Sequence, residues 1–143
     1  MDLAYNGQTY ITKSSRGVSE YTDFEWLGFG SYGCVFKCRN KFDGRMYAIK
    51  NIVKKSKEKY AVEILKEIRT ISAFDHPNII RYFTSWIEIV ENEDPVVSLL
   101  KESDKMSDIL QVHNKKKISA YLVMECAELT LDKFITLHYG SIL

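Results

Sequence analysis

The stretch that most constrains this chain is Leu27-Gly28-Phe29-Gly30-Ser31-Tyr32-Gly33-Cys34-Val35, which fits the pattern G-x-G-x-x-G-x-V. Glycines at such spacing permit backbone conformations and close approaches that a side chain forbids. What the loop can do depends on its flanks. A dinucleotide fingerprint needs strand, turn and helix, so that a pyrophosphate meets the helix N-terminus. Here Tyr21-Thr22-Asp23-Phe24-Glu25-Trp26-Leu27 leads in and Cys34-Val35-Phe36-Lys37-Cys38-Arg39 leads out, and both read as strands. The glycines therefore sit in a hairpin. Such a hairpin can close as a flap over phosphates and contact them through backbone N–H groups. The pattern alone also fits an ordinary turn, so its neighbours must decide.

The neighbours extend the sheet. Asp43-Gly44 is a strong tight-turn signal, and Met46-Tyr47-Ala48-Ile49-Lys50-Asn51-Ile52-Val53 then reads as a third strand. The period changes next, with apolar residues at Ala61, Ile64, Leu65, Ile68 and Ile71 on one helical face. Ser56 suits the N-cap with Glu58 in the first turn, and Asp75-His76-Pro77-Asn78 ends the helix, since the residue before proline favours extended backbone. Ile79 to Glu88 reads as a fourth strand and Ser119 to Glu125 as a fifth; Leu131 to Ile135 reads as a short helix. Between the last two strands lies a charged insert, residues 89–118, whose middle (Met106, Ile109, Leu110) suits a short helix. Residues 1–20 are polar and weakly patterned, and read as a loose leader with a short strand near Tyr10-Ile11. The expected fold is α+β, a five-stranded antiparallel sheet with one packed helix.

Charge and composition narrow the function. Lys plus Arg number 20 and Asp plus Glu 19, a net charge of +1 that points to neither a nucleic-acid nor a membrane surface. No apolar run has transmembrane length, and Met1-Asp2-Leu3-Ala4-Tyr5-Asn6 lacks the basic and apolar regions of a signal peptide. Asp2 stands where myristoylation would need glycine. The three cysteines, Cys34, Cys38 and Cys126, form no disulfide framework and no zinc spacing, so they read as structural thiols in a reducing, cytoplasmic setting, with no metal site. Lys50 lies inward on a half-buried strand and needs an acidic partner, because a lone buried ammonium is costly. Glu67 on the following helix is one candidate, and Glu63, a turn earlier on the same face, is the other.

Taken in order, the glycine loop, Ala48-Ile49-Lys50, the helix glutamate, His76-Pro77-Asn78-Ile79-Ile80 and Leu122-Val123-Met124-Glu125-Cys126-Ala127 resemble the small lobe of a eukaryotic protein kinase, from about Tyr21 to Ile135. The resemblance implies that Lys50, paired with Glu67 rather than Glu63, binds the α- and β-phosphates of ATP. It implies a phosphate flap at Gly28, Phe29, Gly30, Ser31, Tyr32, Gly33 and Cys34, and an adenine pocket walled by Leu27, Val35 and Ala48. Met124 would stand at the back of that pocket as gatekeeper, and backbone groups of Glu125 and Ala127 would bond the adenine edge. Further stretches, among them Arg39-Asn40-Lys41-Phe42-Asp43-Gly44, Ile80-Arg81-Tyr82-Phe83-Thr84-Ser85-Trp86-Ile87-Glu88 and Leu129-Thr130-Leu131, resemble the kinases of the alpha subunit of translation initiation factor 2, the family of PERK, PKR and the haem-regulated kinase. A charged insert between fourth and fifth strands is also their habit.

That resemblance implies a stress-responsive serine/threonine kinase with that subunit as its protein substrate, often activated by dimerisation through the small lobe. The lead from Asp23-Phe24-Glu25 to Gly28 is short for the family, which predicts an abbreviated first strand or a differently packed loop. No H-R-D, D-F-G or A-P-E occurs, so residues 1–143 alone are expected to be catalytically incomplete, with Mg²⁺ held by a large lobe that would begin near residues 136–143. Two other readings stand beside this one: a non-catalytic small-lobe interaction or dimerisation module that regulates a full-length kinase, and the small lobe of another subfamily, such as a cell-cycle kinase.

Overall fold

The computed structural model describes residues 4–5, 8–9, 11–12, 16–30, 33–55, 58–90 and 117–139. Three two-residue strands open the chain, β1 (Ala4–Tyr5), β2 (Gln8–Thr9) and β3 (Ile11–Thr12), followed by a short helix, α1 (Arg16–Glu20). Then come β4 (Tyr21–Gly30), β5 (Gly33–Asn40), β6 (Met46–Lys55), α2 (Glu58–Ser72), β7 (Tyr82–Val90), β8 (Lys117–Glu125) and α3 (Leu131–Tyr139). The main sheet runs β3-β7-β8-β6-β5-β4. The five long strands pair antiparallel, as the sequence predicts, and β3 adds a parallel edge on β7 through Ile11↔Ile87 and Thr12↔Glu88. A separate two-stranded ribbon pairs β1 with β2.

The sheet buries both faces. On the inner face, Ile52, Ile87, Ile118, Ala120 and Leu122 meet Ala61, Ile64 and Leu65 of α2, with Ile68 and Ile71 packed alongside. That is the helical stripe read from the sequence. On the outer face, Tyr21, Phe36, Cys38, Ile49, Trp86, Tyr121 and Val123 form a second core. Its centre is a stack in which Tyr21 lies 6.0 Å and Tyr121 4.8 Å from the Trp86 ring. Strand β8 lies between two neighbours and two cores, so Ile118 to Val123 are all buried and its sequence runs apolar rather than alternating.

Several boundaries differ from the sequence reading. The short strand read near Tyr10-Ile11 is found as β3, which joins the sheet, but the rest of the leader is not all loose: Arg16–Glu20 is a helix whose Val18 packs on the outer core. The first strand is not abbreviated. It spans ten residues and absorbs its awkward spacing as register shifts between Thr22 and Glu25 and between Trp26 and Gly28, with Asp23 at φ 57°. Strand β7 starts at Tyr82, not Ile79, because His76 folds the segment into a turn, accepting from Asn78 N–H on Nδ1 and from Ile79 N–H on its carbonyl.

The ladder Ile89↔Ile118 and Val90↔Lys117 takes two residues from each end of the 89–118 insert. The suggested helix at Met106, Ile109 and Leu110, and the Ser56 cap, lie outside the described residues. Helix α3 runs past Ile135 to Tyr139, so a boundary at 135/136 would cut a helix; Thr130 caps it by accepting the Lys133 N–H on Oγ1 at 3.2 Å.

Candidate functional site

The site is built where β4, β5, β6, β8 and α2 converge. Strands β4 and β5 pair through Gly28↔Val35, Phe29↔Cys34 and Gly30↔Gly33, which carries the hairpin ladder to the glycines; Ser31 and Tyr32 lie outside the described residues. Gly33 has φ +119°, and a Cβ there would lie 2.0 Å from the Asn51 carbonyl oxygen. Only glycine fits. Gly28 is the opposite case: nothing lies within 4 Å of where its Cβ would stand. Leu27, beside it in the register shift, is half exposed.

Register then assigns a face. Val35 pairs with Lys50 and Lys50 with Leu122, while Ala48 pairs with Lys37 and with Met124. Directly paired residues share a face, and Leu122 belongs to the inner core. Val35, Ala48, Lys50 and Met124 therefore line the α2 side of the sheet, below the hairpin. Ala48 is buried, and Val35 and Met124 are partly so.

Lys50 and Glu67 meet. Lys50 Nζ lies 2.6 Å from Glu67 Oε1, with the lysine side chain 21% exposed and the glutamate 41%. Position 67 can reach because the apolar stripe sets the rotation of α2, placing Glu67 beside the partly buried Ile68 and turning it toward β6. Glu63 is exposed and lies on the rim of an open hollow of about 460 Å³ bounded by Lys66, Glu67, Thr70, Ile71 and Phe74. A partly buried charge pair of this kind orients an ammonium.

At the far end of β8, Glu125 N–H donates to the Arg81 carbonyl at 2.8 Å, and its carboxylate accepts from Arg81 N–H at 3.3 Å. This double link ties the end of β8 to the entry of β7, just before Cys126 and Ala127 leave the sheet. Arg81, whose guanidinium lies 5.2 Å from the Phe83 ring centre, was not singled out from sequence. Asn51 and Ser119 were also missed, although a buried Asn51 Nδ2–Ser119 Oγ bond of 2.9 Å sits next to Lys50 in the chain. Nothing in the sequence marks these residues except polarity inside apolar strands.

Of the cysteines, Cys38 is fully buried, and burial pushes its thiol up to about 12, with Cys126 adding to the rise. It is a packing thiol. Cys34 and Cys126 are partly exposed. Among the described residues no group of three or more His, Cys, Asp or Glu side chains is placed to hold a metal ion, and no helix is long and apolar enough to cross a membrane.

Residues 21–143 match the protein kinase domain family. The chain is similar to eukaryotic translation initiation factor 2-alpha kinase 1 of Mus musculus, 35% identical over 142 residues, covering 92% of this chain and 22% of that protein. It is 34% identical over 103 residues to eIF-2-alpha kinase GCN2 of Schizosaccharomyces pombe, covering 72% of this chain and 6% of that one. It is 41% identical over 80 residues to eukaryotic translation initiation factor 2-alpha kinase 3 of Bos taurus, covering 53% and 7%. The chain thus spans at most 22% of the length of these relatives.

Proposed function

The chain belongs to the protein kinase domain family, and we propose that it is the ATP-binding small lobe of a cytoplasmic serine/threonine kinase acting on the alpha subunit of translation initiation factor 2. The observation that carries the nucleotide reading is the Lys50–Glu67 pair, 2.6 Å apart, below a hairpin whose Gly33 admits no side chain. In this reading Glu67 holds the Lys50 ammonium toward the α- and β-phosphates. Backbone N–H groups of Gly28 to Cys34 close over the phosphates. Val35, Ala48, Leu27 and Met124 offer apolar surface to the adenine, and the backbone of Glu125 and Ala127, steadied by the Arg81 link, takes its polar edge. The substrate assignment rests on the three relatives, whose names specify that subunit.

These 143 residues contain no H-R-D and no D-F-G. The metal-binding and substrate-orienting acids of the reaction would therefore come from a large lobe, with Mg²⁺ arriving on ATP. Titration calorimetry of the chain with ATP tests the reading. Binding should be seen, and Lys50→Met should weaken it about tenfold or more, the worth of a hydrogen bond to a charged group. Equal affinity in the two proteins would refute the role of Lys50. No peptide phosphorylation is expected from residues 1–143.

A second reading, a small-lobe interaction module, is favoured by one observation: Leu129, Leu131, Phe134 and Leu137 on and before α3 are all exposed. Mixing the chain with a full-length relative and measuring the latter's activity tests it; no complex at micromolar concentration would count against it.

A further inference from the structure

Among the described residues the buried polar or charged side chains are Asn51, Glu88 and Ser119. They do not scatter. Register places all three on the outer face of the sheet: Asn51 pairs with Tyr121, Trp86 pairs with Tyr121, and Glu88 pairs with Ser119, two residues before Tyr121. Tyr121 and Trp86 belong to the outer core, so the three polar groups lie in one line within an apolar cluster.

One end of the line meets α1 and the other meets the glycine hairpin. At one end Glu88 Oε1 accepts from the backbone N–H of Arg16 at 2.7 Å and from Trp86 Nε1 at 2.9 Å. Arg16 opens α1, and its guanidinium lies 4.9 Å from the Trp86 ring centre. The helix is pinned again at its far end, where Lys41 N–H donates to the Glu20 carbonyl and Lys41 Nζ to the Val18 carbonyl. In the middle, Glu88 and Ser119 are cross-strand neighbours, and Asn51 Nδ2 donates to Ser119 Oγ at 2.9 Å. At the other end, Asn51 pairs with Cys34, and its carbonyl oxygen is the atom against which Gly33 is seated.

Buried polar groups cost stability where apolar ones of like volume would pack. Three in one row, running from an N-terminal helix to the base of the glycine hairpin, call for a reason beyond packing. We infer that Glu88, Ser119 and Asn51 are positioning residues: they form a relay across β7, β8 and β6 that couples the docking of α1 to the seating of the glycine hairpin. When α1 is docked, Glu88 is held by Arg16 and Trp86, Ser119 keeps its place opposite Glu88, and the Asn51 segment holds Gly33 and Cys34 in register. When α1 lifts, the carboxylate loses the Arg16 N–H, and the row relaxes toward the hairpin. The consequence for nucleotide affinity rests on the small-lobe reading above; the coupling itself does not.

Amide hydrogen exchange on the whole 143-residue chain tests the relay without any nucleotide, so it can fail while ATP binding stands, and the reverse. Glu88→Gln removes the charge that α1 grips, and Ser119→Ala removes the acceptor for Asn51. Each should speed exchange at Gly33 and Cys34 about tenfold, within the range for a lost or weakened hydrogen bond. Exchange at Leu122 and Val123, in the centre of the sheet, should change less than about twofold. The decisive arm is a cycle. In an Asn51→Leu/Ser119→Ala background, where the middle of the row is apolar, Glu88→Gln should no longer alter exchange at Gly33 and Cys34.

Three results would overturn the relay: unchanged exchange at the hairpin in both single variants, acceleration spread evenly over the sheet, or an equal effect of Glu88→Gln in both backgrounds. If a single variant unfolds while the Asn51→Leu/Ser119→Ala chain folds with wild-type hairpin exchange, the row is only structural and the inference also falls.

Discussion

Replacing Gly33 by alanine should damage this protein far more than the same change at Gly28, five residues away in one hairpin. At Gly33 two costs add. The φ of +119° lies where side chains are strained, at about 1–3 kcal/mol. The new Cβ would also stand 2.0 Å from the Asn51 carbonyl oxygen and 3.1 Å from its carbon, both backbone atoms that cannot swing aside. Forcing apart a packed contact costs about 1–3 kcal/mol more. A loss of about 3 kcal/mol or more is expected, out of a total of roughly 5–15 kcal/mol for a domain. At about 3–4 °C per kcal/mol for a chain of this length, Tm should fall by about 10 °C.

Gly28→Ala meets nothing within 4 Å and has no positive φ, so its effect should stay within about 0.5 kcal/mol, the range for substitutions away from packed features. Urea unfolding followed by circular dichroism, with the thermal melt beside it, measures both. A Gly33→Ala chain within 0.5 kcal/mol of wild type, or two variants of equal stability, would refute the claim that Gly33 is seated on β6.

Two further predictions concern named side chains. Glu67→Gln should cost less than about 1 kcal/mol of stability, since the pair is only partly buried and Glu67 reaches solvent, yet reduce ATP affinity about as much as Lys50→Met; a variant that loses stability but not affinity would make the pair structural. Burial raises Cys38 above its ordinary value of 9.0 to about 12, so its contribution is whole below pH 9.0 and is lost as the pH rises toward 12. Tyr21, raised first by burial, acts in the same direction. Cys38→Ala should flatten the alkaline limb of stability against pH, and thiol labelling of the native chain at pH 8 should modify Cys34 and Cys126 but spare Cys38.

Much of the fold was legible because local signals carried it. Ala61, Ile64 and Leu65 predict a helical stripe and are buried on it. Asp43-Gly44 predicts a turn, and Gly44 takes φ +70° there. The glycine hairpin was legible from the strand that follows it. What escaped notice depends on contacts distant in sequence. Glu88 reads as the polar end of a strand, yet its partner Arg16 lies 72 residues away and the leader covers it. Asn51 reads as one polar residue after Lys50, and its partner Ser119 is 68 residues on. Register shifts in β4 likewise hid behind what looked like a shortened lead, because each bulge adds one residue and throws the period-two alternation out of phase. The Lys50–Glu67 pair was drawn from alternatives by family spacing; the rotation of α2 supplies its physical cause.

The central claim is that a nucleotide sits between the glycine hairpin and the Lys50–Glu67 pair. Amide chemical-shift mapping of the ¹⁵N-labelled chain during ATP titration tests it most directly. The account predicts that shifts concentrate at Gly28 to Val35, Ala48, Lys50 and Glu125 to Ala127, and that Lys50→Met needs about tenfold more ATP, or more, to reach them. Saturable shifts confined to other surfaces, or a titration unchanged by Lys50→Met, would contradict it.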